Sequence, residues 1–262
     1  MSIVFYKYHG AGNDFVLLDN RDLTFRSDNI SLIAWLCDRR FGIGADGLML
    51  LQECPGYDFE MRYFNSDGRE ASMCGNGGRC IAAFARRLGI AGGRTTFMAV
   101  DGVHEAVFEE DGDISLKMAD VSDVEAGGDE FFLDTGSPHF VRFVETLDGL
   151  DVYHEGRAVR YSDRFREKGT NVNFVKQEGD HLTVYTYERG VEDETLACGT
   201  GITASALSAA LRSGLDRGRF SVTAKGGQLA VSFSKSDRGF TDIWLRGPAA
   251  FVFEGRTDAP AL

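Results

Sequence analysis

Two cysteines of the 262-residue sequence share a setting that could make a thiol reactive. Cys74 opens the run Cys-Gly-Asn-Gly-Gly, and Cys198 opens the run Cys-Gly-Thr-Gly. Each run leads into small and apolar residues, at 81–88 and 202–211, and a glycine closes each stretch as a C-terminal cap would. The sequence therefore predicts two copies of one arrangement, a thiol at the N-terminus of a helix.

The predicted arrangement suits acid–base chemistry at a carbon atom. The thiolate is the reactive form of cysteine, and the unpaired N–H groups and positive dipole end of a helix favour an anion. Two such helix ends facing each other would hold a substrate carboxylate, with an acidic C–H flanked by sulfur on both sides. One thiolate would remove the proton and the opposite thiol would deliver another. This inverts the stereocentre without a metal or an organic cofactor.

Other interpretations of the cysteines and glycines are weaker. A single Cys before Gly is more often a packing or turn residue, but the duplication favours catalysis. Cys74 and Cys80 do not form a CxxC motif and the histidines do not cluster with them, so no metal site is predicted. The GxGxxG pattern at 42–47 follows a predicted helix and leads into a strand, which is the reverse of a dinucleotide-binding site. Cys37, Cys54 and Cys80 are interpreted as structural thiols.

Further polar residues could contact a substrate. Glu188 and Arg189 stand ten residues before Cys198 and could bind a zwitterion, although such a pair is usually a solvated strand edge. His139 follows Pro138 and is either a turn residue or a functional one. Four asparagines in predicted turns could supply neutral polar contacts: Asn13, Asn65, Asn76 and Asn171.

The order of predicted elements repeats in the two halves of the chain. A strand leads into a Gly-containing turn at 10–15 and again at 134–140, and each half continues through further strands to its cysteine helix. A first helix is predicted over 30–40, and the acidic residues 120–130 are interpreted as a boundary. A repeat of half the chain indicates two similar domains, each an antiparallel sheet around one central helix.

Composition limits the class of protein. Hydrophobic residues at 43% are enough for a core, while the net charge of −12 argues against nucleic acid or an anionic membrane as partner. The sequence has no apolar stretch near the roughly 20 residues of a membrane span, and its N-terminus lacks the pattern of a signal peptide. Five cysteines without disulfide-framework spacing favour a reducing compartment. A cytoplasmic protein is expected.

Six motifs together resemble the diaminopimelate epimerase family. They are the segments 10–15, 64–68, 73–80, 136–139, 187–190 and 197–201. The resemblance implies an α+β fold of two pseudo-symmetric domains, each a mostly antiparallel sheet or barrel wrapped around a central helix. It implies a first domain at 1–118 with a returning strand at 248–262, a second at 119–247, and a homodimer. The implied reaction is the interconversion of LL- and meso-2,6-diaminopimelate, without a cofactor, on the path to lysine and peptidoglycan.

The resemblance also implies roles for individual residues. Cys74 and Cys198 would be the acid/base pair, and Glu188 and His139 would tune the pKa values of the thiols. Glu188 would also meet the α-ammonium group of the substrate. The remaining implied contacts hold the reacting carboxylate (Asn76 and the backbone of Gly75, Gly199 and Thr200) or the distal end (Asn65, Asn171 and Arg189), with Asn13 as a further substrate-binding residue.

Two positions depart from the family pattern and leave the substrate open. Family members often have Gln where Gly47 stands and Asn where Ser137 stands. An epimerase of another amino acid, such as histidine, is the near alternative, although the retained Arg189 suits a substrate with a distal carboxylate. A phenazine-biosynthesis-like isomerase shares the fold but lacks the cysteine pair. A thiol-redox protein that links the two cysteines as a disulfide is the third alternative.

Overall fold

The computed structural model describes residues 2–259, which contain four helices and 18 strands. The chain divides into two compact units. The N-terminal unit comprises Met1–Leu116 with Pro248–Leu262, and the C-terminal unit comprises Lys117–Gly247. Each unit is mostly sheet around one long helix, which confirms the predicted α+β fold. Within the described residues, no helix combines the length and apolar character that a membrane span requires.

The N-terminal unit is a mixed sheet around its second helix. Its elements are β1 (Ser2–Gly10), β2 (Asn13–Asp19), α1 (Ile30–Cys37), β3 (Gly47–Gln52), β4 (Phe59–Asn65), β5 (Glu70–Ala71), α2 (Gly75–Arg87), β6 (Arg94–Ala99), β7 (Gly102–Phe108) and β8 (Ile114–Lys117). Neighbouring strands run in the order β1-β2-β3-β4-β6-β7-β8, and the pairs β2/β3 and β4/β6 are parallel. Helices α1 and α2 supply these two parallel crossovers.

Alternation along the strands divides the apolar residues of this sheet between two faces. Val16, Leu18 and Leu48 pack against Ile33 and Leu36 of α1 in one buried cluster. The intervening residues point to the other face, where β1, β2, β3 and β7 contact α2. Helix α2 is therefore buried over most of its surface, and its N-terminus is held in place by the surrounding strands.

The C-terminal unit repeats this order of elements. It contains β9 (Val124–Gly127), β10 (Glu130–Asp134), β11 (Pro138–Phe143), α3 (Val152–Arg160), β12 (Asn171–Glu178), β13 (His181–Glu188), β14 (Asp193–Thr195), α4 (Gly199–Arg212), β15 (Arg217–Ala224), β16 (Gly227–Ser236) and β17 (Gly239–Gly247). The order of strands is β9-β10-β11-β12-β13-β15-β16-β17, with β11/β12 and β13/β15 parallel. Helix α4 is the central helix here.

The last strand, β18 (Ala250–Asp258), belongs to the N-terminal unit. It pairs antiparallel with β1, from Ser2 opposite Asp258 to His9 opposite Ala250. In the C-terminal unit, β9 pairs antiparallel with β10, the strand that corresponds to β1. In the C-terminal unit this edge of the sheet is thus formed by a strand that is adjacent in sequence. In the N-terminal unit the corresponding edge is formed by the last strand of the chain.

The structure differs from the sequence analysis at the end of one helix and in one additional helix. Helix α1 ends at Cys37 rather than residue 40, because Asp38 adopts an extended conformation and its carboxylate accepts hydrogen bonds from the N–H groups of Arg40 and Phe41. The predicted boundary region at 120–130 follows closely on the division of the chain between Leu116 and Lys117, and it contains β9 of the C-terminal unit. Helix α3 was not predicted. It begins at an Asp151 cap and carries Gly156 at its point of contact with Tyr187.

Candidate functional site

Both cysteines are the N-cap residues of the central helices, as predicted. Helix α2 begins directly after Cys74, whose Sγ accepts a hydrogen bond from the N–H of Gly77 at 3.3 Å. Helix α4 begins directly after Cys198, whose Sγ lies 3.4 Å from Thr200 Oγ1. Each helix thus includes the glycines that directly follow its cysteine. The first-turn N–H groups of both helices lie beside a sulfur atom, a setting that favours anions.

Close packing explains why poor helix formers occupy the start of α2. A Cβ atom at Gly78 would lie 2.8 Å from Met73 Sδ and 2.9 Å from Leu116 Cδ2. A Cβ atom at Gly77 would lie 3.0 Å from Met49 Cε. Glycine lowers helix stability by about 1 kcal/mol relative to alanine. Here its small size lets the first turn of α2 approach the surrounding side chains.

Two asparagines lie beside Cys74, and charged groups fix the direction of their amides. Asn76 Nδ2 donates to Asn13 Oδ1 at 3.4 Å, and Asn13 Oδ1 lies 3.9 Å from Cys74 Sγ. Asn13 Nδ2 donates to the carboxylate of Asp46 at 2.6 Å, whereas Asn76 Oδ1 accepts from the fully buried guanidinium of Arg79 at 2.7 Å. A carboxylate only accepts and a guanidinium only donates, so both amide orientations are determined by chemistry. The carbonyl oxygen of Asn13 therefore faces Cys74.

Asn65 and Gly47 lie opposite each other at the ends of β4 and β3. The Asn65 residue is exposed. A Cβ atom at Gly47 would lie 2.5 Å from Tyr63 Cε2 and 2.6 Å from the carbonyl oxygen of Phe64. The Tyr63 ring, which also packs edge-on against Phe15, thus occupies the space that a side chain at position 47 would need.

A chain of hydrogen bonds connects His139 to Cys198 in the C-terminal unit. His139 Nε2 lies 2.9 Å from Thr200 Oγ1, which in turn lies 3.4 Å from Cys198 Sγ. His139 Nδ1 lies 3.0 Å from Asn173 Nδ2, and that amide also donates to the carbonyl oxygen of Phe140 at 3.1 Å. His139, on β11, is fully buried.

Burial keeps the imidazole neutral. Desolvation, with a smaller contribution from the positive charge of Arg189, lowers the pKa of His139 from its ordinary 6.5 to about 3. A neutral imidazole has one donor and one acceptor nitrogen. His139 therefore cannot be treated as a charged partner of Cys198 at neutral pH.

This shift makes a prediction for stability against pH. An unfolded histidine binds a proton near pH 6.5 but the folded one only near 3, so acid stabilises the unfolded state over this range. We expect the free energy of unfolding of the wild type to fall as the pH is lowered from about 6.5 towards 3, and His139→Gln to show a smaller fall. Urea titrations at pH 7, 5.5 and 4 would measure both slopes. An equal pH dependence of the free energy of unfolding in the wild type and His139→Gln would contradict the low pKa of His139 in the folded protein.

Asn171 and Arg189 are close together at the ends of β12 and β13. The N–H of Arg189 donates to Asn171 Oδ1 at 2.9 Å, and Asn171 Nδ2 donates to Ser137 Oγ at 2.9 Å. The guanidinium of Arg189 is exposed and donates to the carbonyl oxygen of Lys168 at 2.9 Å. Glu188 is half-buried at the end of β13, opposite Asp193. The structure thus groups Ser137, His139, Asn171 and Arg189 with Cys198, and groups Asn13 and Asn76 with Cys74.

Several residues that support these groups were missed from the sequence. Asn173 and Thr186 hold His139 in place, and Asp46 and Arg79 hold the two asparagines near Cys74. The alternation of Asn171 and Asn173 along a strand was an available signal, since residues two apart share a face. Within residues 2–259, no group of three or more His, Cys, Asp or Glu side chains is arranged to hold a metal ion.

Comparison with known proteins identifies the family. The diaminopimelate epimerase family model matches residues 5–124 and 131–252. Similar proteins include the diaminopimelate epimerases of Flavobacterium psychrophilum (50% identical over 250 residues, 95% of this chain and 98% of the relative) and Aquifex aeolicus (39% over 278 residues, 98% and 99%). The diaminopimelate epimerase of Chlorobaculum tepidum is 42% identical over 255 residues, 94% of this chain and 98% of the relative.

Solved structures share the fold at low identity. A Bacillus anthracis phenazine biosynthesis protein of the PhzF family has a TM-score of 0.74 at 16% identity, covering 98% of this chain and 99% of its own. A probable proline racemase from Agrobacterium radiobacter has a TM-score of 0.68 at 12% identity, covering 99% and 93%. These matches confirm a fold of two similar halves. The family model and the near full-length relatives show that the chain belongs to the diaminopimelate epimerase family.

Proposed function

We propose that this protein is an isomerase that interconverts LL- and meso-2,6-diaminopimelate without a cofactor. The observation that carries the proposal is the pair of cysteines that cap the two central helices, in a chain 50% identical to a diaminopimelate epimerase over 250 residues. The family model covers both cysteine motifs. The reaction would serve lysine and peptidoglycan precursor synthesis.

The two thiols act as the acid and the base. One thiolate removes the α-proton of the substrate, and the other thiol delivers a proton to the opposite face of the carbon atom. As the proton leaves, negative charge develops on the α-carboxylate. The amide of Asn76 and the N–H groups of Gly75, Gly199 and Thr200 stabilise that charge at the helix N-termini. This stabilisation is available without reorganisation because both helix starts are buried and packed.

Other residues fix the identity and orientation of the substrate. Glu188 binds the α-ammonium group, and the exposed guanidinium of Arg189 binds the distal carboxylate as a bidentate partner. Asn65 and Asn171 contribute to the distal end, and Asn13 contributes beside Cys74. Asn171 also holds the backbone of Arg189 through its Oδ1 atom, so it orders the residue that recognises the second carboxylate.

Exchange of the α-hydrogen in D2O tests this function. The protein is incubated under reducing conditions with LL-diaminopimelate and, separately, with a panel of simpler amino acids including histidine. We expect deuterium to appear with inversion in diaminopimelate alone, measured by NMR and chiral analysis. Exchange in another amino acid but not in diaminopimelate would assign a different substrate to the same two-thiol reaction. Absence of exchange in every case would contradict the enzymatic proposal.

We also propose that the protein is a cytoplasmic homodimer. All five cysteines are thiols rather than members of disulfides, which suits a reducing compartment, and alkylation in intact cells should trap them in the reduced state. Strand β18 exposes Phe251, Val252 and Phe253 by 38%, 50% and 45%, and neighbouring β1 exposes Val4 by 46%. Exposed apolar residues on a strand of this kind suit an interface between copies. Sedimentation equilibrium should give twice the chain mass of 28.8 kDa, and a single chain mass would contradict the dimer.

A further inference from the structure

A chain of hydrogen bonds ends at Cys198. The donor and the acceptor of each bond can be determined by starting from the opposite end of that chain. The carbonyl oxygen of Phe140 can only accept, so the atom of the Asn173 amide that faces it must be the donor, Nδ2. The opposite end of the amide, Oδ1, accepts from the hydroxyl of Thr186 at 2.9 Å. Asn173 is fully buried and held on both sides, so its amide has one orientation.

The orientation of Asn173 determines the tautomer of His139. The Nδ2 donor lies 3.0 Å from His139 Nδ1, so Nδ1 must be the acceptor nitrogen. A neutral imidazole then carries its hydrogen on Nε2. Nε2–H donates to Thr200 Oγ1 at 2.9 Å. Asn171 Nδ2 also lies 3.4 Å from Nε2, but its two hydrogens point to nearer acceptors, Ser137 Oγ at 2.9 Å and the carbonyl oxygen of Pro138 at 3.1 Å. His139 therefore has no lone pair with which to take a proton from Cys198 through Thr200.

The hydroxyl of Thr200 transmits this direction to the sulfur atom. Because its oxygen accepts from His139, its own hydrogen is available to the remaining neighbour, Cys198 Sγ at 3.4 Å. A donor aimed at sulfur favours the anion over the thiol. Two charged side chains lie at the adjoining end of β13. The positive charge of Arg189 lowers the pKa of His139, and Glu188 is the last residue of the strand.

We propose that Thr200 is a positioning residue whose hydroxyl donates to Cys198, and that His139 acts on Cys198 only through this hydroxyl and never as a base. The proposal deepens the proposed two-thiol reaction and rests on it for its role in turnover. It assigns to the Thr200 side chain a task separate from the backbone N–H that meets the carboxylate.

The test is the pH profile of Cys198 alkylation by iodoacetamide, read by peptide mass in the full chain without substrate. Thr200→Val has nearly the same shape and removes the donor. We expect its profile midpoint to rise by about one to two pH units, because the wild-type hydrogen bond to sulfur favours the charged thiolate. Thr200→Ser keeps the hydroxyl and should restore the wild-type midpoint. Turnover should fall about tenfold in Thr200→Val, with KM little changed.

Thr203→Val is the matched control. Thr203 is a fully buried residue of the same helix, and its hydroxyl donates to the carbonyl oxygen of Gly199 at 3.0 Å. We expect its midpoint and turnover to match the wild type. Cys37 and Cys80 are 2% and 0% exposed, so their alkylation reports any loss of folding in each variant.

Two results would overturn the proposal. One is an unchanged Cys198 midpoint in Thr200→Val while Cys37 and Cys80 stay protected. The other is an equal shift in Thr203→Val. Because alkylation is measured without an amino acid, this outcome is separate from the exchange test. Failure of diaminopimelate to exchange would leave the alkylation result standing, and the reverse also holds.

Discussion

Replacing either cap cysteine by serine should reduce turnover by about 100- to 10,000-fold, the usual contribution of a positioned acid or base. A serine hydroxyl is not ionised at neutral pH, whereas a thiolate is accessible to cysteine at a helix N-terminus. Cys74→Ser and Cys198→Ser preserve size and should fold normally. Turnover from LL- and from meso-diaminopimelate, with circular dichroism for folding, measures the effect.

The control for these variants is Cys54→Ser. Cys54 is a half-buried free thiol between β3 and β4, outside both groups of site residues. We expect it to retain wild-type turnover. If Cys74→Ser or Cys198→Ser also retained full turnover, the two-base mechanism would be wrong.

Gly201→Ala should cost both stability and activity. A Cβ atom at Gly201 would lie 2.3 Å from Asn173 Oδ1 and 3.2 Å from His139 Cε1. Both neighbours are fully buried and hydrogen-bonded, so neither can move without breaking the chain that leads to Thr200. Overpacking of this kind costs about 1–3 kcal/mol, more than the gain of up to about 1 kcal/mol from alanine in a helix.

Displacement of His139 should also reduce turnover of Gly201→Ala, by about 100-fold, since misplacement of a positioned group by about 1 Å has effects of this size. Thermal unfolding and initial rates measure the two effects. Gly127→Ala is the control, because a Cβ atom there would meet nothing within 4 Å. Equal unfolding midpoints for Gly201→Ala and the wild type would show that the site tolerates the added methyl group.

The helix caps and the family could be predicted from the sequence because their signals are local. A cysteine followed by glycines and then by small apolar residues predicts a capped buried helix from neighbours in the chain alone. The Asp101-Gly102 pair between β6 and β7 is a signal of the same local kind, since Asp-Gly between two apolar runs is typical of the hairpin that these strands form. These features depend on short-range spacing, which a sequence displays directly.

The supporting residues could not be predicted because their partners are distant in sequence. Asn173 supports the site through its hydrogen bond with His139, 34 positions away. Asp46 supports it through its hydrogen bond with Asn13, 33 positions away. Helix α3 was missed for a similar reason. Gly156 weakens the sequence signal for this helix. Glycine is required there because a Cβ atom would lie 2.4 Å from Tyr187 Cβ on β13. Such contacts appear only once the strands are in register.

The crowding at Gly47 makes two positions of the N-terminal unit interdependent in evolution. A side chain at 47 is excluded while the Tyr63 ring covers it, since the first atom added would lie 2.5 Å from that ring. A glutamine at position 47 therefore cannot be accommodated by that single replacement. A smaller residue at 63 would relieve only part of the crowding, because the added atom would still lie 2.6 Å from the carbonyl oxygen of Phe64. A side chain at 47 thus requires both a different residue at 63 and a shift in the backbone at the end of β4.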